Sequence, residues 1–189
     1  WSEFARNVSG EWGGHGADFT KEGYPIELPE NVVPEAYREW EVKVFDWQTQ
    51  CPTLANPDEH ILLYKNIELL PTVGCEADAP TRYRVIEKND KGTYKLQELE
   101  YCLINPQDKE SRVRIIQVIR IEIEKMLLQN IRVYCENWYG PFRNGDQLGG
   151  CAIRDSAFAC TAALEASEVV GTWRGLGAVA SFRGTQNVS

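Results

Sequence analysis

Gly10-Glu11-Trp12-Gly13-Gly14-His15-Gly16-Ala17 is the stretch on which the fold turns, because its pattern returns near the other end of the chain as Gly171-Thr172-Trp173-Arg174-Gly175-Leu176-Gly177-Ala178. Both read G-x-W-x-G-x-G-A, both are trailed by a Phe (Phe19, Phe182), and both follow a stretch with helical character, Ser2 to Val8 and Ala163 to Val169. Two accounts compete. In one, each motif opens a domain, so 1–160 forms a complete unit and 161–189 holds a connecting helix and the first strand of a second, truncated repeat. In the other, the two strands close one barrel, the last pairing with the first. Duplication of the flanks along with the motif favours the first account.

Between the motifs, residues alternate apolar and polar with period two, the mark of half-buried strands. Glu39 to Trp47 places Trp40, Val42 and Val44 on one face against Glu39, Glu41 and Lys43, with a slip at Phe45. Ile61 to Leu70, Thr81 to Glu87 and Thr93 to Ile104 are further candidate strands, and Ser111 to Trp138 predicts two or three strands joined by short turns, since β-branched residues at alternate positions disfavour a helix. Residues 20–34, with three prolines, and 50–59 are expected as loops. Many short strands with little helix predict an all-β fold. A Gly-x-Trp on the first strand narrows it to an antiparallel calycin, or lipocalin-like, up-and-down β-barrel with a short N-terminal helix. In such barrels the Trp packs across the closed end and the Gly lets chains approach closely. Gly10 and Trp12, with Gly171 and Trp173, take these structural roles.

Charge and cysteine usage bound the function. Net charge is −8, with 28 acidic against 20 basic residues, a field that repels phosphate backbones and makes nucleic acid an unsuitable direct partner. Arg112, Arg114, Arg120 and Lys125, interleaved with Glu122 and Glu124, read as a mixed solvated face. The six cysteines form no C-x-x-C and have no His at ligand spacing, so no metal site is expected and the thiols are read as mostly reduced. No apolar run approaches the length of a membrane-spanning helix. The Gly-rich segment after Tyr139 lacks the Lys-Ser/Thr of a phosphate loop. No G-x-S-x-G or H-E-x-x-H is present, which disfavours covalent hydrolase and metalloprotease chemistry. His15 and His60 are the only histidines, and His15 is matched by Leu176 in the second motif, so a surface or end-of-barrel position is expected for it.

The stretches Val8-Ser9-Gly10-Glu11-Trp12, Val33 to Val42, Leu70 to Glu76 and Trp138 to Asp146 resemble a plant plastid family of unknown function, similar to the lipocalin-like cyanobacterial proteins grouped as domain of unknown function 3598. The resemblance implies two consecutive calycin-like barrels in the complete protein and a chloroplast location, in the stroma or on the thylakoid surface. It implies no catalytic residues.

These readings lead to a non-enzymatic barrel without a cofactor. In the first function class the interior holds a small hydrophobic ligand, a lipid, pigment or tetrapyrrole, lined by Trp40, Val42, Val44, Tyr94, Leu96, Ile121 and Val133, with Arg82 and Arg84 at the mouth. In the second, the barrel is filled by its own side chains and docks on a larger plastid or thylakoid protein complex. A cavity of roughly 300 Å³ or more favours the first. A solid interior beside a large exposed apolar patch favours the second.

Overall fold

The computed structural model describes residues 1–69, 82–87, 96–122, 125–146, 158–162 and 164–172. Helix α1 (Ser2–Val8) leads into β1 (Glu11–Thr20); a short helix α2 (Glu35–Glu39) precedes β2 (Asp46–Gln50), β3 (Thr53–Asn56), β4 (Ile61–Leu69) and β5 (Arg82–Glu87). After these come β6 (Leu96–Ile104), β7 (Ser111–Glu122) and β8 (Lys125–Gly140), then a single 3-10 turn (Phe158–Cys160) and helix α3 (Ala166–Val169).

Every strand pairing is antiparallel. β2 and β3 form one stave: β2 pairs with β4 from Gln48↔Leu69 to Gln50↔Ile67, and β3 continues in the same register from Thr53↔Tyr64 to Asn56↔Ile61. Pro52 interrupts the pair without shifting it, because its carbonyl still accepts the Lys65 N–H at 3.2 Å. Counted this way, the described residues form seven staves in the order β5, β4, β2/β3, β1, β8, β7, β6. The sheet curls far enough that side chains on β7 reach β3 and β4 directly: Arg112 donates to Thr53 Oγ1 and Arg114 to Asn66 Oδ1. The chain is an all-β, curled half-barrel consistent with a lipocalin-like barrel.

β1 and β8, the first and last strands in sequence, are paired from Glu11↔Gly140 to Thr20↔Asn130. It is β8 that closes onto β1 here. Of the second motif, Gly171 is exposed beyond α3 and in no strand, while Trp173 lies outside the described residues. β5 and β6, the outermost strands of the sheet among the described residues, are separated by six antiparallel steps and therefore run in the same direction.

Local sequence explains most of this. β7 carries six β-branched residues from Val113 to Ile121, and β8 takes up one extra residue opposite Val118/Ile119, a bulge that sharpens the bend. β1 is glycine-rich because neighbours press on it. A Cβ at Gly16 would lie 2.5 Å from the Tyr134 ring, and one at Gly10, where φ is +145°, would collide with Trp138.

Two expectations are corrected. Glu39 to Val44 is not a strand: α2 ends at Trp40, Glu41 takes a left-handed turn (φ 54°), and the Val42 N–H returns to the Tyr37 carbonyl at 2.9 Å. The same residues that alternate with period two also place Tyr37 and Trp40 three apart, and their rings meet edge to face at 6.2 Å, so the helical turn wins. Within 50–59, Thr53–Asn56 is strand rather than loop, because it extends β2 across Pro52.

Candidate functional site

On β7 the even-numbered residues from Arg112 to Val118 are buried, as are Tyr134 and Glu136 on β8 and Thr49, Cys51 and Thr53 along β2/β3. These face the concave side. At its centre, Glu136 sits between two arginines: Arg112 Nε donates to Oε2 at 2.6 Å, Arg114 Nε to Oε2 at 2.9 Å and Arg114 Nη2 to Oε1 at 2.9 Å. Arg114 also reaches Glu100 at 3.1 Å and Asn66 at 2.7 Å, and the Tyr64 hydroxyl donates to the other Glu100 oxygen at 2.5 Å. Each guanidinium lies over an aromatic ring, Arg112 over Trp12 at 4.3 Å and Arg114 over Tyr134 at 4.5 Å. Trp12 donates its indole N–H to the Val8 carbonyl at 2.8 Å, tying the network to α1.

Electrostatics follow from this packing. Burial raises the Glu136 pKa, but the Arg114 and Arg112 charges outweigh it, and the carboxyl ends below its ordinary range. Burial likewise works against the Arg114 charge, and Glu136 heads the opposing influences that hold it well above its usual value. Burial, then Glu100, pushes the Tyr64 phenol up, so it donates and does not ionise. The expectation of a solvated Arg112/Arg114 face is overturned, because both arginines are buried. The sequence holds part of the signal, two arginines at i and i+2 on one strand and a lone glutamate on the next, but the register that brings them together is set by the sheet.

The concave side is capped at both ends. Ala5 and Val8 of α1 pack on Ala55 with Phe4, Cys102 and Ile104 at one end; Leu28, Val32 and Val33 pack on Trp47 at the other. The residues expected to line the interior are dispersed. Trp40 (62% exposed) and Val42 (45%) lie outside the sheet on the turn after α2, and Val44 packs at the margin of the Trp47 cluster. Ile121 and Val133 occupy odd-numbered positions on β7 and β8 and so face the convex side. Leu96 opens β6 and is exposed. Arg82 and Arg84 fall on β5, where side chains lie outside the described residues, as does all of Tyr94.

A groove of about 630 Å³ lies elsewhere, on the convex side of β1, β8, β7 and β6. Its floor is a lateral row of paired residues, Gln48, His15, Cys135, Val113 and Leu103, each opposite the next across adjacent strands. Asn137 and Tyr139 close one side; the Tyr139 ring lies over Gly13, where a Cβ would meet it at 3.0 Å. Asn105, Pro106 and Ser111 form the end wall, held by Asp108, which accepts the Glu110 N–H at 2.8 Å and the Ser111 hydroxyl at 3.0 Å. The outward-pointing side chains of this lining are uncharged apart from titratable His15 and Cys135; Arg112 and Glu136 border the groove but direct their charges inward. Burial holds the His15 pKa below 6.5, so the imidazole is neutral at pH 7. Burial first, then the charges of Glu136 and Asp46, raises that of the Cys135 thiol. Among the described residues no cluster of three or more His, Cys, Asp or Glu is placed to hold a metal ion. Cys51, Cys102, Cys135 and Cys160 are free thiols.

No family model, curated protein or solved structure matches the chain.

Proposed function

We propose that the chain is a non-catalytic, lipocalin-like binding module of the chloroplast, and that its ligand, a small uncharged hydrophobic molecule, lies in the convex groove. The observation that carries this reading is the division of labour between the two faces. At the centre of the concave face Arg112, Arg114, Glu136 and Asn66 are bonded to one another, whereas the convex groove has ligand-sized volume and offers uncharged hydrogen-bonding groups beside apolar ones. Pockets of 300 to 1,000 Å³, mostly apolar with a few polar groups, are the usual form of small-molecule sites. The plastid location is supported by the resemblance of the four stretches quoted above.

Titration with Nile red, a neutral planar dye, tests the site. Saturable binding of one dye per chain is expected, lost in Val113→Lys, which puts a charge on the groove floor without touching the concave network, and retained in Leu62→Lys at an exposed distant position. Binding that survives Val113→Lys, or no saturable binding, would overturn it.

A second reading, a subunit of a plastid protein complex, is favoured by two exposed apolar hairpin ends: Ile61, Leu62 and Leu63 on β4, and Ile121, Met126 and Leu127 at the β7–β8 turn. Native mass spectrometry separates the two, since a retained small molecule supports the first and a stoichiometric protein partner the second.

A further inference from the structure

Cys135 and His15 stand directly opposite one another in the β1–β8 ladder and share the groove floor. Side chains so placed have Cβ atoms about 4.5–5.5 Å apart on one face of the sheet, so the thiol and the imidazole border the same volume of the groove. Cys135 is exposed, while Cys51 is buried and Cys102 half-buried against α1. We propose that this pair makes the groove a covalent capture site for small α,β-unsaturated carbonyl compounds, an inference that rests on the groove being the binding site.

The chemistry balances as a thiol addition. Cys135 Sγ attacks the β-carbon of the conjugated double bond, forming an S–C bond as the π pair moves onto the carbonyl oxygen as an enolate. The His15 imidazole takes the thiol proton and returns it to the α-carbon, so the net change is addition of S–H across C=C, with no oxidant or reductant. The groups around the pair fit this division. Burial first, then Glu136 on β8 and Asp46 on β2, disfavour a free thiolate, so the thiol needs a base to take its proton as it attacks; Gln48, the neighbour of His15 on its other side, is neutral, and burial favours the uncharged imidazole that can serve as that base. Apolar Leu103 and Val113 flank the thiol on β6 and β7, where the carbon skeleton of an enone would lie.

The experiment follows the full chain with 2-cyclohexen-1-one, a small uncharged enone, mapping adducts by peptide mass spectrometry. Exposed Cys160 serves as the reference thiol in the same molecule. Cys135 is expected to react about tenfold or more faster than Cys160, and His15→Gln, which keeps size and hydrogen bonding, to remove that advantage while leaving the Cys160 rate unchanged. Equal rates at the two thiols, or a Cys135 rate indifferent to His15→Gln, overturn the inference. Iodoacetamide, which needs no seated ring, separates this from the binding reading. Nile red binding without a His15-dependent Cys135 rate removes capture and leaves the groove. A His15-dependent rate with iodoacetamide but no dye binding and no preference for the enone removes both the groove as a ligand site and the capture built on it.

Discussion

Glu136 holds two buried guanidinium groups on one carboxylate, and its worth is set by what its removal would leave behind. Breaking one partner of a buried ion pair costs about 3–5 kcal/mol, because an uncompensated charge remains. Glu136→Gln is therefore expected to lower the unfolding free energy by that amount, read as a fall in the urea midpoint with the m-value unchanged. Its folded-state pKa is depressed, so its contribution is full above the unfolded value near 4.5 and fades as pH falls through the lower folded one. Urea midpoints of the natural chain should fall below pH 4.5, and the Gln variant should lose part of that acid limb. At Gly16 the argument is steric. A methyl group there would press on the Tyr134 ring at 2.5 Å, and Gly16→Ala should cost about 1–3 kcal/mol, read as a drop in Tm. Much of this was legible in the chain: a Gly-rich strand bearing one Trp points to close packing on an inner face. From sequence the arginine pair reads as solvent-facing because charge usually means solvent, and only the register against β8 shows that Glu136 bridges both, with Glu100 as the second carboxylate on Arg114.

At the scale of elements, α1 seals one end of the half-barrel through Ala5 and Val8, with Phe4 and Cys102 beside them. Val8→Asp puts an unpaired carboxylate into that contact and should loosen the helix. The expected readout is faster alkylation of Cys102, whose thiol is presently raised in pKa by burial before any charge effect, with Cys160 as the unchanged reference. The strands from β4 onward, and the N-terminal helix, could be read from periodicity and composition. Glu39 to Val44 could not, since its residues satisfy two periods at once and Pro34, at the N-terminal end, starts a helical turn that period-two counting ignores. Likewise Pro52 looks like a loop breaker in isolation, yet its carbonyl keeps the β2/β3 stave in register.

For the whole molecule, the decisive contact joins β1 to β8, the most distant strands in sequence. Such pairings are paid for in chain entropy before they return any stability, so folding should await β8. A chain ending at Gln129 is expected to lack the cooperative urea transition of the full chain, measured by far-ultraviolet circular dichroism. Strand content and antiparallel order were readable without coordinates. The site was not, because the apolar residues that suggested a lined interior face outward on β7 and β8, and handedness of facing is a property of curvature that no single strand encodes.

The shared direction of β5 and β6 sets an arithmetic limit on how the cylinder can be finished. A ring made wholly of antiparallel neighbours holds an even number of members, and the described ring has an odd one. Any segment that zips the remaining gap in the antiparallel manner must therefore contribute one strand or three, never a hairpin alone.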